Sequence, residues 1–199
     1  MLSGNRIALP FSNTDLFFSA KTEIAIPARH PLVRDALAAA SLDPEVESIT
    51  FVSSVSIAGW NVKLDAIVLT RNDGRYYLDI GPARPPLSLG QAALVSEVIA
   101  ELGLHTLVIT QDDILKEPRF ANARLVWTYA GRTVPIGLRM QILQILSDDA
   151  PLPLGHLLAS VRGHLDPAPG VMALACANLI ELDLISAPLG PATLARSRV

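Results

Sequence analysis

Apolar residues recur along the chain with two different spacings, and the changes between them predict where helices and strands alternate. Leucine, valine and alanine at helical spacing predict a helix that begins at Pro31 and ends at the Asp43-Pro44 step. The Asn72-Asp73-Gly74 turn predicts a hairpin between two β-branched runs. The predicted strands of this region are residues 22–26, 49–57, 60–70 and 76–80.

A second helix and another strand follow this hairpin. Ser88 and Gln91 match a capping box at the start of the helix, and Gly103 is a typical C-terminal stop. The continuous apolar run at residues 105–110 is typical of a short strand that is buried on both faces. The helical spacing predicts an inward face made of Leu89, Ala92, Val95, Val98 or Ile99, and Leu102.

The pattern changes near residues 131–137, where we predict a domain boundary. Pro188 and Gly190 indicate a tight turn between two short strands near the C-terminus. Helical runs precede this turn at residues 138–147, 152–161 and 168–183. Three helices followed by a hairpin is the order of a winged helix. The predicted organisation is an N-terminal arm at 1–20, a main domain at 21–132 and a winged-helix-like domain at 138–199.

Composition narrows the classes of protein that fit. Half of the 199 residues are hydrophobic, which excludes a disordered chain. No uninterrupted apolar run approaches the ~20 residues of a membrane span, and the start of the chain has no secretory pattern, so the expected location is cytoplasmic. The single cysteine, Cys176, is expected in the core and cannot form an internal disulfide. The net charge of −3 gives no global basic field for nucleic acid.

The order helix, three antiparallel strands, helix and strand is the core layout of the PD-(D/E)xK nucleases. Within it, residues 41–85 resemble the catalytic domain of TnsA-like transposon endonucleases. Asp43-Pro44 matches the end of that family's first helix, and Leu64-Asp65 stands at its Pro-Asp position. Asp79-Ile80-Gly81 stands at its acid-x-Lys position, after the hairpin turn. The resemblance covers about residues 21–132 and implies an α/β fold of the α+β type, a nuclease-like mixed sheet flanked by helices.

The resemblance implies a catalytic site in which Asp65 and Asp79 hold Mg²⁺, and the metal lowers the pKa of the attacking water. Two parts of this site depart from the family pattern. Gly81 stands where a lysine is expected, and the first helix has Val33 or Arg34 at the expected acid, with Asp35 close by.

These departures predict a site that is vestigial. Arg84 remains a candidate contact to nucleic-acid phosphate, because an arginine stays protonated and cannot act as a base. The alternative interpretation is that Asp65 and Asp79 are ordinary strand-end carboxylates, one of them paired with Lys63 or Arg75.

Three functions follow. The leading hypothesis is a non-catalytic TnsA-like protein that acts as a binding or scaffolding subunit, linked to DNA transactions and needing no cofactor. The second is an active Mg²⁺-dependent DNA endonuclease that works with a transposase-like protein. The third is a winged-helix DNA-binding regulator. Two features argue against it: residues 168–183, the predicted recognition helix, contain no lysine or arginine, and residues 136–199 have a net charge of −1.

Two apolar clusters predict a homo-oligomer or a stable complex with another protein, with DNA as a weak ligand at most and no membrane contact. The alternative is that both clusters pack on the protein's own body. The first cluster, in the arm, is Phe11, Leu16, Phe17 and Phe18. The second, near the C-terminus, is Met172, Leu174, Leu179, Ile180, Leu182 and Leu184.

Overall fold

A four-stranded mixed sheet flanked by helices forms the centre of the molecule, which confirms the predicted α/β class. The computed structural model describes residues 15–57, 60–84, 87–163 and 166–198. Phe11 of the predicted arm therefore lies outside the described residues. The sheet order is β3-β4-β5-β6, with antiparallel pairing except between β5 and β6. Its strands are β3 Val46–Ile57, β4 Trp60–Arg71, β5 Gly74–Ile80 and β6 His105–Ile109.

Helix α1, Pro31–Leu42, covers one face of this sheet and has the predicted boundaries. His30 caps its start, where Nδ1 accepts a hydrogen bond from the backbone N–H of Leu32 at 3.2 Å. Leu37 on the helix and Ile49 on β3 are both buried in the same apolar cluster. The apolar core between α1 and the sheet lies on this face.

Helix α2, Leu89–Glu101, lies on the opposite face, and the predicted capping box is present. The predicted inward face is wrong for its first turns, because Leu89 is 92 % exposed and Ala92 is exposed as well. Val98 and Ile99 are the buried residues of this helix. Only the second half of α2 therefore packs on the sheet.

Strand β6 is half exposed, so the prediction that it is buried on both faces is wrong. Val108 is 60 % exposed, and His105 and Thr106 are exposed too. These residues are exposed because β6 is the edge strand of the sheet, and its described ladder partner is β5. Its apolar composition alone did not distinguish an edge from a centre.

The C-terminal part contains three helices and a three-stranded sheet with the order β7-β9-β8. The predicted helix over residues 168–183 is wrong, since the helix ends at Cys176. Asn178 has a left-handed φ of 59°, which asparagine tolerates, and the chain then enters a strand. The elements are α5 Ile136–Asp149, β7 Leu152–Pro153, α6 Leu154–Ser160, α7 Ala168–Cys176, β8 Ile180–Leu182 and β9 Leu194–Ser197.

Helix α4, Arg119–Trp127, follows the short helix α3, Gln111–Ile114, and contacts the C-terminal part closely. Its Asn122 side chain donates to the carbonyls of Leu184 at 2.9 Å and Ala187 at 2.8 Å. Ala123 and Val126 lie in the same buried cluster as the C-terminal helices. The division near residues 131–137 stays a prediction, and these contacts cross it.

The N-terminal segment forms a small two-stranded sheet with β1, Leu16–Phe17, and β2, Ile26–Pro27. The predicted strand at 22–26 is therefore mostly wrong. Phe17 is buried and stacks on Trp127 with 5.2 Å between ring centroids. Phe18 is 65 % exposed.

The C-terminal apolar cluster packs on the protein's own body, which is the alternative that the sequence left open. Among its members, Leu179 is half-buried and the others are buried. Cys176 is buried as expected, and its Sγ donates to the carbonyl of Val126 at 3.2 Å. Within the described parts of the chain, no helix has the length and apolar character needed to cross a membrane.

Candidate functional site

A cleft of about 560 Å³ contains both carboxylates that the sequence singled out. Asp65 lies on β4 and Asp79 near the end of β5, and both residues line this cleft. The cleft is lined by Val33, Lys63, Asp65, Tyr77, Asp79 and Arg84, among others.

Asp79 is 4 % exposed and is held by a single arginine. The Arg84 guanidinium donates from Nε to Oδ1 at 2.9 Å and from Nη2 to Oδ2. A short 3₁₀ turn at Gly81–Ala83 positions this arginine, because it turns the chain back beside the end of β5. A bidentate pair of this kind satisfies a buried carboxylate that would otherwise be costly. The Arg84 guanidinium, which was predicted to contact nucleic-acid phosphate, is thus bonded to Asp79 in the structure.

Asp65 occupies a β-bulge on β4. Val52 pairs with Ala66 and Ser54 with Lys63, so two residues of β4 stand opposite one residue of β3. Asp65 has a left-handed φ of 47°, which is strained for a residue with a side chain although aspartate tolerates it better than most. Its Oδ2 forms an ion pair with Lys63 Nζ at 2.8 Å, which matches the alternative that the sequence left open for one of the two acids.

Gly81 and Val33, which stand where the resemblance implies a lysine and an acid, are both placed by the structure. Gly81 directly follows β5, and a Cβ at this position would have no atom of the described residues within 4 Å, its two chain neighbours aside. Val33 lines the cleft from α1 with an apolar side chain. Asp35 lines a different cavity, between α1, the sheet and α4. The first helix therefore presents no carboxylate among the described lining residues.

The donor set falls short of a Mg²⁺ site in this arrangement. Mg²⁺ takes oxygen ligands in octahedral geometry, and both oxygens of Asp79 are bonded to Arg84. Across the part of the chain that the structure describes, no three His, Cys, Asp or Glu side chains are grouped so as to hold a metal. The metal roles of Asp65 and Asp79 stay predictions.

A second cleft, of about 910 Å³, adjoins the first and was missed by sequence reasoning. It shares Lys63, Asp65, Tyr77 and Arg84 with the first cleft. Gln91 and Leu94 of α2 form one wall, together with Leu87 just before the helix. The helical spacing of residues 89–102 predicts that the first turns of α2 pack on the sheet, which would fill this space. The one available signal was the absence of any charged residue between positions 85 and 96.

The fold and the two clefts together define a mixed α/β protein in which two carboxylates, each ion-paired to a cation, line one cleft. Neither protein-family models nor curated proteins match this chain.

Proposed function

We propose that this protein is a non-catalytic relative of the TnsA-like nucleases and acts as a binding or scaffolding subunit. The observation that carries the proposal is the bidentate pair between Arg84 and the buried Asp79. Asp79 is the more buried of the two candidate metal ligands, and both of its carboxylate oxygens are bonded to Arg84 within the chain.

The chemistry of phosphodiester cleavage supports the same conclusion. Such a site needs a metal that activates water and a positioned cation that stabilises developing charge. Gly81 supplies no cation at the expected position, and Val33 supplies no oxygen. Removal of one positioned electrostatic group costs about 10²–10³ in rate, so two departures leave little activity.

A cleavage assay tests the proposal. The full chain is incubated with supercoiled plasmid and with linear duplex DNA in Mg²⁺ or Mn²⁺, beside an Asp65→Ala variant prepared in the same way. We expect neither protein to nick DNA above background. Nicking by the native chain that disappears in Asp65→Ala would overturn the proposal.

A second candidate function is the active Mg²⁺-dependent endonuclease. The observation that favours it is that Asp65, Asp79 and Lys63 line the same cleft, where Lys63 is ion-paired to Asp65. The cleft thus has a cation that does not come from position 81. In this case Lys63→Ala and Asp65→Ala would both abolish nicking. The matched control is Arg75→Ala, which changes an exposed cation outside the residues that line this cleft.

The C-terminal part supports a role in protein contact. Its order of three helices, strand, turn and strand supports a winged-helix-like domain, and α7 occupies the place of a recognition helix. Residues 170–176 of α7 are all buried, however, and α4 packs on this helix. We therefore do not propose a DNA-reading regulator, and we expect duplex DNA binding to be weak at physiological salt.

A further inference from the structure

Strand β4 extends beyond the strand that pairs with it on one side. Its ladder with β3 runs from Trp60 to Arg71, whereas its ladder with β5 begins at Val68. In the described part of the chain, residues 60–67 therefore have no ladder partner on the side of β5. The edge of a strand presents unpaired N–H and C=O groups, and these groups can pair with a strand from another chain.

The larger cleft lies along this unpaired edge of β4. Its lining includes residues 61–65 in succession. The side chains of a strand alternate between the two faces of a sheet, so a cleft that contacts successive residues borders the edge of the strand rather than a single face. The opposite wall is the side of α2 that carries Gln91, Leu94, Val95 and Val98 at helical spacing. The cleft thus separates an open strand edge from a mostly apolar wall.

Two features of β4 make part of this edge suitable for a short added strand. The bulge at Leu64 and Asp65 ends the regular ladder, so residues 60–63 offer about 13 Å of regular edge. Lys63 lies on this edge, and a lysine there ordinarily discourages pairing with another chain. Its ion pair with Asp65 at 2.8 Å offsets that charge.

The charges of the cleft indicate the chemistry of its occupant. The two cations among its lining residues, Lys63 and Arg84, are each paired with an aspartate. Glu97 and Glu101 line the same cleft one helical turn apart, and both are exposed. Among the described residues, no ion pair of either glutamate is found. Charge complementarity therefore favours an occupant with a basic group.

We propose that this cleft binds an extended segment of a partner protein, which adds as a strand along residues 60–63 of β4. The main-chain groups of β4 hold the segment, and its alternate side chains contact Leu94 and Val95 on α2. The segment is apolar at alternate positions and carries a basic residue that pairs with Glu97 or Glu101. Its biological role rests on the proposed scaffolding function, since a scaffolding subunit needs a surface for its partner.

The test uses a labelled synthetic peptide of about eight residues, with valine and threonine in alternation and lysine at both ends. Fluorescence anisotropy of this probe with the full chain at about 1–500 µM should show a dissociation constant in the micromolar range. Leu94→Glu should raise this constant at least ~10-fold, because it places a charge on the apolar wall. The matched control is Leu89→Glu, which adds the same charge to the same helix at a residue that is 92 % exposed and outside the cleft lining.

A charge variant and two modified probes separate the parts of the proposal. The double variant Glu97→Lys, Glu101→Lys should weaken binding at least ~10-fold, since it places like charges beside the lysines of the probe. Each modified probe has N-methyl groups on one of the two alternating sets of amides. An added strand turns one set of N–H groups toward β4 and the other set away. One modified probe should therefore lose binding, while the other retains it.

Binding that folded Leu94→Glu, the double glutamate variant and one N-methylated probe weaken, and that Leu89→Glu leaves unchanged, supports strand addition in this cleft. The absence of saturable binding at about 500 µM overturns it. Equal affinities of the two N-methylated probes, or equal effects of the two leucine variants, also overturn it. Failure of the proposed function has a different readout, because it shows as DNA nicking in the cleavage assay and not as a change in peptide affinity.

Discussion

The two faces of the central sheet are covered to very different extents. On the α1 face, Leu37 and Ile26 are fully buried, and the N-terminal segment adds Phe17 to the same cluster. On the α2 face, the smaller cluster centres on Val68 and Ile99, and a large cleft lies beside it. Buried apolar contacts are therefore concentrated on the α1 face of the sheet, while the α2 face keeps an open cleft.

The largest expected effect tests the difference between the two faces of the sheet directly. Leu37→Ala on the closed face should lower the free energy of unfolding by about 3 kcal/mol, because it leaves a cavity in a packed core. Leu94→Ala on the open face should cost less than about 1 kcal/mol, because Leu94 is already 44 % exposed. Urea unfolding of both variants measures the difference. Equal losses would contradict the account of two unequal faces.

The closed face also buries a lysine, which makes stability depend on pH. Burial lowers the pKa of Lys21 from 10.5 to about 8, with the nearby Arg198 acting in the same direction. The unfolded chain therefore binds more protons between these values, so this lysine makes stability rise as pH increases through that window.

The Cys176 thiol has the opposite effect on the pH dependence of stability above about pH 9. Burial raises the pKa of its thiol from 9.0 to about 12, so its contribution to stability falls as pH rises above 9. We expect the native chain to gain about 1 kcal/mol from pH 8 to pH 9 and little beyond. In Cys176→Ala the gain should continue to about 2–3 kcal/mol near pH 10.5. A Lys21→Met variant that shows the same rise would contradict this assignment.

The ion pair in the smaller cleft should give the next effect. Arg84→Ala leaves the buried carboxylate of Asp79 unpaired, which we expect to cost about 2 kcal/mol because Arg84 itself is half exposed. The double variant Arg84→Ala, Asp79→Asn should recover part of this loss, since a neutral amide is less costly to bury. Urea unfolding of Arg84→Ala, Asp79→Asn and the double variant measures the coupling. Simple additivity would show that the two residues are independent.

The smallest effect concerns the bulge on the open side of the sheet. Asp65→Gly should be neutral or stabilise the chain by about 0.5 kcal/mol, because glycine adopts a left-handed φ without strain. Asp65→Val should destabilise it by about 1–2 kcal/mol at the same position. Thermal unfolding of both variants checks the order. The reverse order would contradict the account, because it would show that the backbone at position 65 does not favour glycine over a β-branched residue.

Local signals predicted the elements whose boundaries depend on neighbouring residues. Pro31 and Asp43-Pro44 bound α1 as expected, and Ser88 and Gln91 form the capping box of α2. These signals work because a helix end is decided by a few adjacent backbone groups. The hairpin at Asn72-Asp73-Gly74 was predicted for the same reason.

Features that depend on strand order or on distant contacts were not predictable in this way. The exposure of Val108 follows from the edge position of β6, which its composition does not encode. The end of α7 depends on the left-handed Asn178, within an apolar run that reads as continuous helix. The pairing of Arg84 with Asp79 depends on the short turn after β5. The sequence does not reveal this turn, and Arg84 was therefore predicted to contact nucleic-acid phosphate.

Binding of Mn²⁺ to the native chain and to Asp79→Asn, followed by calorimetry without DNA, tests the central claim most directly. The claim is that Arg84 occupies the oxygens that a catalytic metal would need. The account predicts no saturable binding by either protein at about 1 mM metal or below. Saturable, stoichiometric binding by the native chain that is lost in Asp79→Asn would contradict it and put the endonuclease first.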